Sequence, residues 1–168
     1  MRKNVRALTH GALIAALYVT LCHLQNLLIP GSTSFFIQFR AAEALCVLAL
    51  LTPDAIGGLS VGCLLFNLTA VGTLPLDPIV GTAATLLAAT GMWLTRKWTV
   101  LGYPIFAMLL PALFNALLVG WELDFYMGGG FFINALSVFI GEAAVLLTLG
   151  TVLFFALRRN RYLAAWYD

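Results

Sequence analysis

Hydrophobic residues dominate the chain in six long stretches that are separated by short polar connections. A membrane-spanning helix needs about 20 apolar residues, or about 17 where protein shields part of the segment. By that measure the pattern predicts six transmembrane helices, over residues 8–29, 34–51, 55–71, 78–95, 100–121 and 131–157. We therefore expect an all-α integral membrane protein in which residues 1–168 form one six-helix domain.

The second stretch is the weakest of the six. Its uninterrupted apolar part, residues 44–51, is too short to cross a bilayer, and its first half carries Gln38, Arg40 and Glu43. A charged side chain exposed to lipid costs several kcal/mol, ~2.5–3.5 on insertion scales. We expect this segment to pack against other parts of the protein rather than to face lipid.

The overall composition agrees with a membrane protein, since 62% of the residues are hydrophobic and only 10% are charged. A soluble domain of this length would need more polar surface. Because apolar stretches continue to residue 157, the first one is predicted to be a retained helix and not a cleaved signal peptide. Cys22, Cys46 and Cys63 lie singly in apolar runs and are interpreted as small core residues.

The basic residues predict the orientation. Eight of the nine flank the first stretch, the fourth connection or the last stretch: Arg2, Lys3, Arg6, Arg96, Lys97, Arg158, Arg159 and Arg161. The positive-inside rule places these segments, and with them both termini, in the cytoplasm. Asp77, Glu122 and Asp124 are then expected in loops on the outer face, beside a belt of aromatic residues around Trp121 and Tyr126.

Several catalytic patterns are absent from the sequence. It has no Walker-type phosphate loop, no His-Glu-x-x-His zinc motif and no nucleophile elbow. His10 and His23 are thirteen residues apart in one stretch, too far to share a metal within that helix. We expect neither an enzyme nor a cofactor or metal site, and any ATP hydrolysis would come from partner subunits.

Polar residues within apolar stretches are the candidates for function, because they should face the bundle interior or a cavity. Arg40 and Glu43 are three residues apart, which suits either an intrahelical ion pair or a pair that also orients a ligand. Glu142 lies eleven residues into the last stretch, about halfway across at ~1.5 Å per residue. It is either a hydrogen-bonded packing carboxylate or a ligand contact at the floor of a pocket.

Small residues repeat at helical spacing in two stretches. Gly11, Ala12, Ala15 and Ala16 lie in the first, and Gly58 and Gly62 lie in the third. Small residues four apart allow two membrane helices to approach closely. The partner helix belongs either to this chain or to another protein.

Several short motifs follow one another in a particular order. They are Ile37-Gln38-Phe39-Arg40 with Ala42-Glu43-Ala44-Leu45, Thr52-Pro53-Asp54-Ala55 leading into residues 58–67, Phe114-Asn115-Ala116-Leu117, Gly120-Trp121-Glu122-Leu123, and Gly141-Glu142. Together they resemble the QueT family of queuosine-precursor transporters. The likeness extends over nearly the whole chain, with little to match in residues 32–36 and after Arg158.

The resemblance implies a substrate-binding (S) component of an energy-coupling factor (ECF) transporter, located in a prokaryotic-type cell membrane. Such a component takes a queuosine precursor, meaning a 7-deazaguanine such as preQ0 or preQ1 or the base queuine, from outside the cell. Its partners are a transmembrane T component and two cytoplasmic ATPases, and no nucleic acid is implied. Ala12 and Ala16 match the Ala-x-x-x-Ala pattern with which S components contact the T component.

The ligand chemistry suits the polar residues of the motifs. A carboxylate accepts two N–H groups of a guanine edge at once, which fits Glu142 or Glu122, and amides can pair the remaining ring groups. Trp121, Phe39 or Tyr126 could stack on the flat ring, and an aminomethyl cation would want a second carboxylate. The predicted substrate-binding residues are Gln38, Arg40, Glu43, Asn67, Asn115, Trp121, Glu122 and Glu142.

Three other functions compete with this one. The chain could be an S component for another vitamin-like compound, or a self-contained secondary transporter in which Glu142 and Glu43 carry protons. A membrane enzyme acting on a small amphiphile would need a nucleophile or metal site that the sequence does not offer.

Overall fold

The computed structural model describes residues 2–32 and 39–159, with side chains from residue 5 onward. Over these residues the chain is helical, as predicted. The α-helices are α1 (Arg2–Leu28), α2 (Asp54–Thr69), α3 (Asp77–Thr95), α4 (Ile105–Met127), α5 (Phe131–Val145) and α6 (Thr151–Arg159). A 3₁₀ helix covers Ala41–Leu50 between α1 and α2, and a π-helical turn over Leu146–Gly150 joins α5 to α6.

Within the described residues, four helical segments are long and apolar enough to cross a membrane: Val5–Leu28, Asp77–Thr95, Ile105–Met127 and Phe131–Arg159. The chain is therefore a multi-pass membrane protein. Helix α2 has 16 residues and the 3₁₀ helix has ten. At ~1.5 and ~2.0 Å per residue both are shorter than the ~30 Å hydrocarbon core. The count of six crossings stays a prediction.

The 3₁₀ helix occupies most of the described part of the weak second stretch. Eight of its ten residues are buried, and it packs into the main apolar core beside Phe66, Met92, Met108 and Phe154. The expectation that this segment packs against other parts of the protein is confirmed. Gln38, by contrast, lies outside the described residues.

The predicted boundaries of the fifth stretch were wrong. Residues 100–103 form a tight turn in which Val100 and Tyr103 exchange backbone hydrogen bonds of 2.9 and 3.0 Å, with Leu101 and Gly102 at positive φ. Pro104 then caps α4, which runs on to Met127. The prediction mistook the apolar residues Val100 and Leu101 of this turn for the start of the helix. The shift carries Trp121 and Glu122 into the helix, so Glu122 and Asp124 are not in a loop.

Asp77 was also assigned wrongly to an exposed loop. It is the first residue of α3, and only 4% of its surface is exposed. A carboxylate at a helix N-terminus is favoured by the helix dipole. In addition, its Oδ2 atom accepts a 2.7 Å hydrogen bond from the backbone N–H of Leu74, which closes the turn ahead of α3.

Helices α1 and α2 approach each other so closely that glycine is required. A Cβ atom on Gly58 would lie 2.7 Å from the Gly11 carbonyl oxygen, and one on Gly62 would lie 2.8 Å from the Tyr18 Cβ. The small residues of α1 therefore divide into two faces. Gly11 and Ala15 meet α2, whereas Ala12 and Ala16 are exposed.

The two ends of the bundle differ in their polar contacts. At one end Arg158 donates a 3.0 Å hydrogen bond to the Gly102 carbonyl, and His10 lies 3.4 Å from Asp54. At the other end His23 and Thr69 are 3.0 Å apart. The basic connections before α4 and after α6 thus meet at one end. Which end faces the cytoplasm stays a prediction.

Candidate functional site

Among the buried polar side chains of the described residues, eight that are each at most 4% exposed are linked by hydrogen bonds or charge interactions. We call this group the polar core. It comprises Tyr18 of α1, Arg40 and Glu43 at the 3₁₀ helix, Asn67 of α2, Asp77 of α3, Asn115 and Glu122 of α4, and Glu142 of α5. Six of the eight predicted substrate-binding residues are in this set; Tyr18 and Asp77 are additions.

Glu43 has hydrogen-bond donors for both of its carboxylate oxygens. The Tyr18 hydroxyl donates to Oε1 at 2.5 Å, and the Cys46 thiol donates to Oε2 at 3.2 Å. Tyr18 is 25 residues away along the chain, so sequence spacing gave no signal for this pair. The contact anchors the 3₁₀ helix to α1.

Arg40 is the cation of the polar core. It lies close enough to Tyr18 and Asp77, and to the carboxyl groups of Glu122 and Glu142, for charge interactions with all of them. With Glu43, the polar core therefore holds four carboxyl groups and one guanidinium.

Gln25 fixes the backbone that carries Arg40. Its Oε1 atom accepts a 2.7 Å hydrogen bond from the Ala41 N–H, and its Nε2 donates to Ser32 at 2.9 Å and to the Phe39 carbonyl. Sequence reasoning missed this residue. Its signal was a lone glutamine near the end of an otherwise apolar helix.

Asn67 connects α2 to the start of α3. Its Nδ2 atom donates a 2.9 Å hydrogen bond to the Asp77 carbonyl, while its Oδ1 has no partner among the described residues. The amide lies directly over Gly81, where a Cβ atom would be 2.8 Å from Nδ2. Gly81 therefore makes room for an amide that offers its free oxygen to the interior.

Asp77 and Glu122 form a carboxyl pair. Their side chains lie within hydrogen-bonding reach of each other, but two ionised carboxylates are both acceptors and cannot bond. In the described part of the chain no donor reaches Asp77 Oδ1 or either oxygen of Glu122. The pair therefore requires either a shared proton or an outside donor.

Glu142 forms a second acceptor site, on α5. The Asn115 amide lies within hydrogen-bonding reach of it, and Glu43 lies nearby. Its other oxygen, Oε2, has no donor among the described residues, although the side chain is only 1% exposed. The prediction that Glu142 is an interior carboxylate is confirmed.

The unpartnered atoms share one property. All five buried side-chain atoms without a partner in the described chain are oxygens: Asn67 Oδ1, Asp77 Oδ1, Glu122 Oε1 and Oε2, and Glu142 Oε2. Leaving a buried acceptor unsatisfied costs ~1–3 kcal/mol, and more when it is charged. The polar core is therefore short of donors, and a ligand with several N–H groups complements it.

The predicted stacking aromatics do not join the polar core. Trp121 is 49% exposed and stacks on Phe125 at a centroid distance of 5.8 Å. Phe39 and Tyr126 are exposed as well. On α4 the buried face carries Glu122, so its neighbour Trp121 points away from the interior.

A cavity of about 650 Å³ opens at the end of the bundle where α1, α2 and α4 finish. We call it the end cavity; His23, Asn26, Thr69, Val71 and Met127 are among the residues that line it. Asn67 of the polar core is only two residues before Thr69 in α2. No three His, Cys, Asp or Glu side chains of residues 5–32 and 39–159 are grouped to hold a metal ion.

Comparison with known proteins supports the resemblance inferred from the motifs. A family model described as QueT transporter matches residues 8–159, which is most of the chain. The search of curated proteins and the search of solved structures gave no match. The family match confirms a transporter and assigns no enzyme activity.

Proposed function

We propose that this chain, which belongs to the QueT transporter family, is the substrate-binding S component of an ECF importer for a queuosine precursor. The substrate would be a 7-deazaguanine such as preQ0 or preQ1, or the base queuine. The protein would hold it from the outer side of the cell membrane, with six crossings and both termini in the cytoplasm.

The observation that carries this proposal is the donor shortage of the polar core. A 7-deazaguanine presents neighbouring N–H groups on its guanine edge, and carboxylate or amide oxygens are their natural acceptors. Glu142, oriented by Asn115, has one oxygen free of donors within the described chain. We assign to Glu142 the role of accepting hydrogen bonds from the N–H groups of the guanine edge, with Asn67 Oδ1 as a further acceptor.

Other members of the polar core would position these acceptors. Glu43 is satisfied by Tyr18 and Cys46, so it holds the 3₁₀ helix in place. Arg40 offsets part of the negative charge around it and can donate to a ligand carbonyl. Gln38 stays a candidate from the sequence alone, and the exposed Trp121 receives no ligand role.

Energy would come from partner proteins, because the sequence has no phosphate-binding loop of its own. The partners would be a transmembrane T component and two cytoplasmic ATPases. Ala12 and Ala16 are exposed on α1, and small exposed residues allow a foreign helix to approach closely. We assign this face to the T component.

A second function has one observation in its favour. Four carboxyl groups with only one guanidinium are more than a neutral ligand needs, and buried carboxyl groups also serve as proton carriers in secondary transporters. In that case the chain alone would accumulate substrate in vesicles when a proton gradient is imposed. An S component alone would not.

Calorimetric titration of the purified chain in detergent with preQ0, preQ1 and queuine tests the proposal. We expect saturable binding without ATP and a rise in melting temperature. A ligand at 100 times its Kd stabilises the folded state by about 2.7 kcal/mol. If none of the three compounds binds, the proposal is wrong. Proton-driven accumulation of substrate by the chain alone in vesicles would favour the second function.

A further inference from the structure

We propose that Asp77 and Glu122 form a subsite for a positively charged ammonium group, so that the transporter prefers a 7-deazaguanine carrying a primary amine over a neutral one. This inference rests on the proposed function and extends it. It assigns to the pair a task separate from that of Glu142 and Asn67, which bind the ring edge.

The carboxyl pair is assembled from two helices that the sequence does not place together. Asp77 begins α3, and Glu122 lies near the end of α4. Both are at least nine-tenths buried, at 4% and 0% exposure. Helix packing therefore brings two carboxyl groups within hydrogen-bonding reach of each other inside the protein.

The number of unpartnered oxygens matches an ammonium group. Within the described chain, Asp77 Oδ1 and both oxygens of Glu122 have no hydrogen-bond donor. The remaining oxygen of Asp77 is used by the Leu74 N–H. A primary ammonium has three N–H donors and no acceptor, so one such group can serve all three oxygens.

The surrounding charges leave room for one more cation. Among the described residues, Arg40 interacts with both members of the pair. Glu142 also interacts with Arg40, and Glu43 lies near Glu142. One guanidinium cannot neutralise four ionised carboxylates. The carboxyl pair therefore needs a positive charge of its own, which is either a proton or a cationic ligand.

Without a bound cation, the two carboxyl groups avoid repulsion by sharing a proton, as acids in contact do. Binding then becomes an exchange. The O–H bond of the protonated carboxyl breaks, its proton passes to bulk water, and the ammonium N–H groups bond to the two carboxylates. No bond of the ligand is made or broken, and charge is conserved.

Two measurements on the unaltered protein test the subsite. In calorimetric titrations at neutral pH, preQ1 with its aminomethyl cation should bind about ten- to a hundredfold more tightly than preQ0 with its neutral nitrile. Repeating the preQ1 titration in buffers of different ionisation enthalpy should show release of up to about one proton per ligand. Because protons compete with the cation, affinity for preQ1 should weaken as the pH falls, whereas that for preQ0 should change little.

Variants then locate the effect. Glu122→Gln should remove the preference for preQ1 and leave preQ0 affinity near normal, and Asp77→Asn should do the same if Glu122→Gln does not fold. The matched control is Asp124→Asn, which removes a carboxylate two residues along α4 whose Oδ1 accepts the Gly130 N–H outside the polar core. The control should keep the preference.

The outcomes separate this inference from the proposed function. Equal binding of preQ0 and preQ1 by the unaltered protein, or preQ1 binding without proton release, overturns the subsite and leaves the proposed function in place. A preference that survives Glu122→Gln in a folded protein also overturns it. If no 7-deazaguanine binds, both are wrong.

Discussion

Buried glutamates on the two sides of the polar core differ in their hydrogen bonds. On the side of α1 and the 3₁₀ helix, Glu43 is 1% exposed and has donors for both oxygens. On the side of α3 and α4, Glu122 is fully buried and neither of its oxygens has a donor in the described chain. Equal burial therefore hides a difference in hydrogen bonding, and the carboxylates without donors are the ones that we propose to bind ligand.

The contrast extends to helix packing. Gly58 and Gly62 are already in contact with α1, and any side chain there would collide. Ala12 and Ala16, on the other face of α1, are exposed. A contact completed within the chain indicates a structural role, whereas an incomplete one is where a ligand or a partner is expected.

The largest effect is expected at Glu142, on the incomplete side. Glu142→Gln keeps the shape of the side chain but can turn a donor toward the ligand's N–H. Loss of such a charged hydrogen bond costs ~1.5–3 kcal/mol, or about ten- to more than a hundredfold in affinity. Folding should survive because an amide is cheaper to bury than a carboxylate. Calorimetry and melting curves on the same sample measure both quantities.

The matched control for that experiment is Glu43→Gln, which alters an equally buried carboxylate whose oxygens are already satisfied. It should change stability more than affinity. Unchanged affinity in Glu142→Gln with altered stability would make Glu142 a packing residue, and the ring edge would then be assigned to Glu122.

An intermediate effect is expected at Tyr18, on the completed side. Tyr18→Phe removes the donor to Glu43 Oε1 and leaves a buried carboxylate oxygen unsatisfied, which costs ~1–3 kcal/mol or more. The melting temperature in detergent should fall while the Kd for a 7-deazaguanine changes little. A large loss of affinity at constant melting temperature would place Tyr18 in the ligand site, and the side of α1 and the 3₁₀ helix would then not be purely structural.

The smallest effect on the isolated chain is expected at Ala12 and Ala16. Ala12→Leu or Ala16→Leu adds volume to an exposed face, so the melting temperature and ligand affinity should stay near normal. Uptake by cells that hold the complete transporter should nevertheless fall, because a partner helix can no longer approach.

Gly62→Ala is the control for the other face of α1, the face that packs against α2. Its new Cβ would lie 2.8 Å from the Tyr18 Cβ and 3.1 Å from the Ala15 Cα, and overpacking of this kind typically costs ~1–3 kcal/mol. It should lower stability. If Ala16→Leu lowers stability equally, the exposed face is not free and the partner assignment is wrong.

Much of the helical architecture could be predicted because apolar run length alone decides which segments can cross a membrane. The boundaries of α4 could not, since Val100 and Leu101 are apolar residues in a turn that hydrogen bonding, and not hydropathy, defines. Asp77 was expected in a loop because it lies in a short connection between two apolar stretches. The burial of its side chain depends on the packing of α3 against α4, and the local sequence does not reveal that packing.

The burial of some residues of the polar core could be predicted. Glu142 and Asn115 stood out because polar groups are costly within an apolar stretch, and both are buried. Tyr18 and Gln25 were missed because their partners lie 25 and 16 residues away along the chain. An exposed Trp121 was named because aromatic character says nothing about the direction in which a side chain points.

A structure of the chain with a bound 7-deazaguanine tests the proposed function most directly. We expect the N–H groups of the guanine edge to lie within ~3.2 Å of the Glu142 carboxylate, with the ligand inside the polar core. A ligand held instead in the end cavity beside His23 and Thr69, with no contact to Glu142 or to the Asp77 and Glu122 pair, would contradict it.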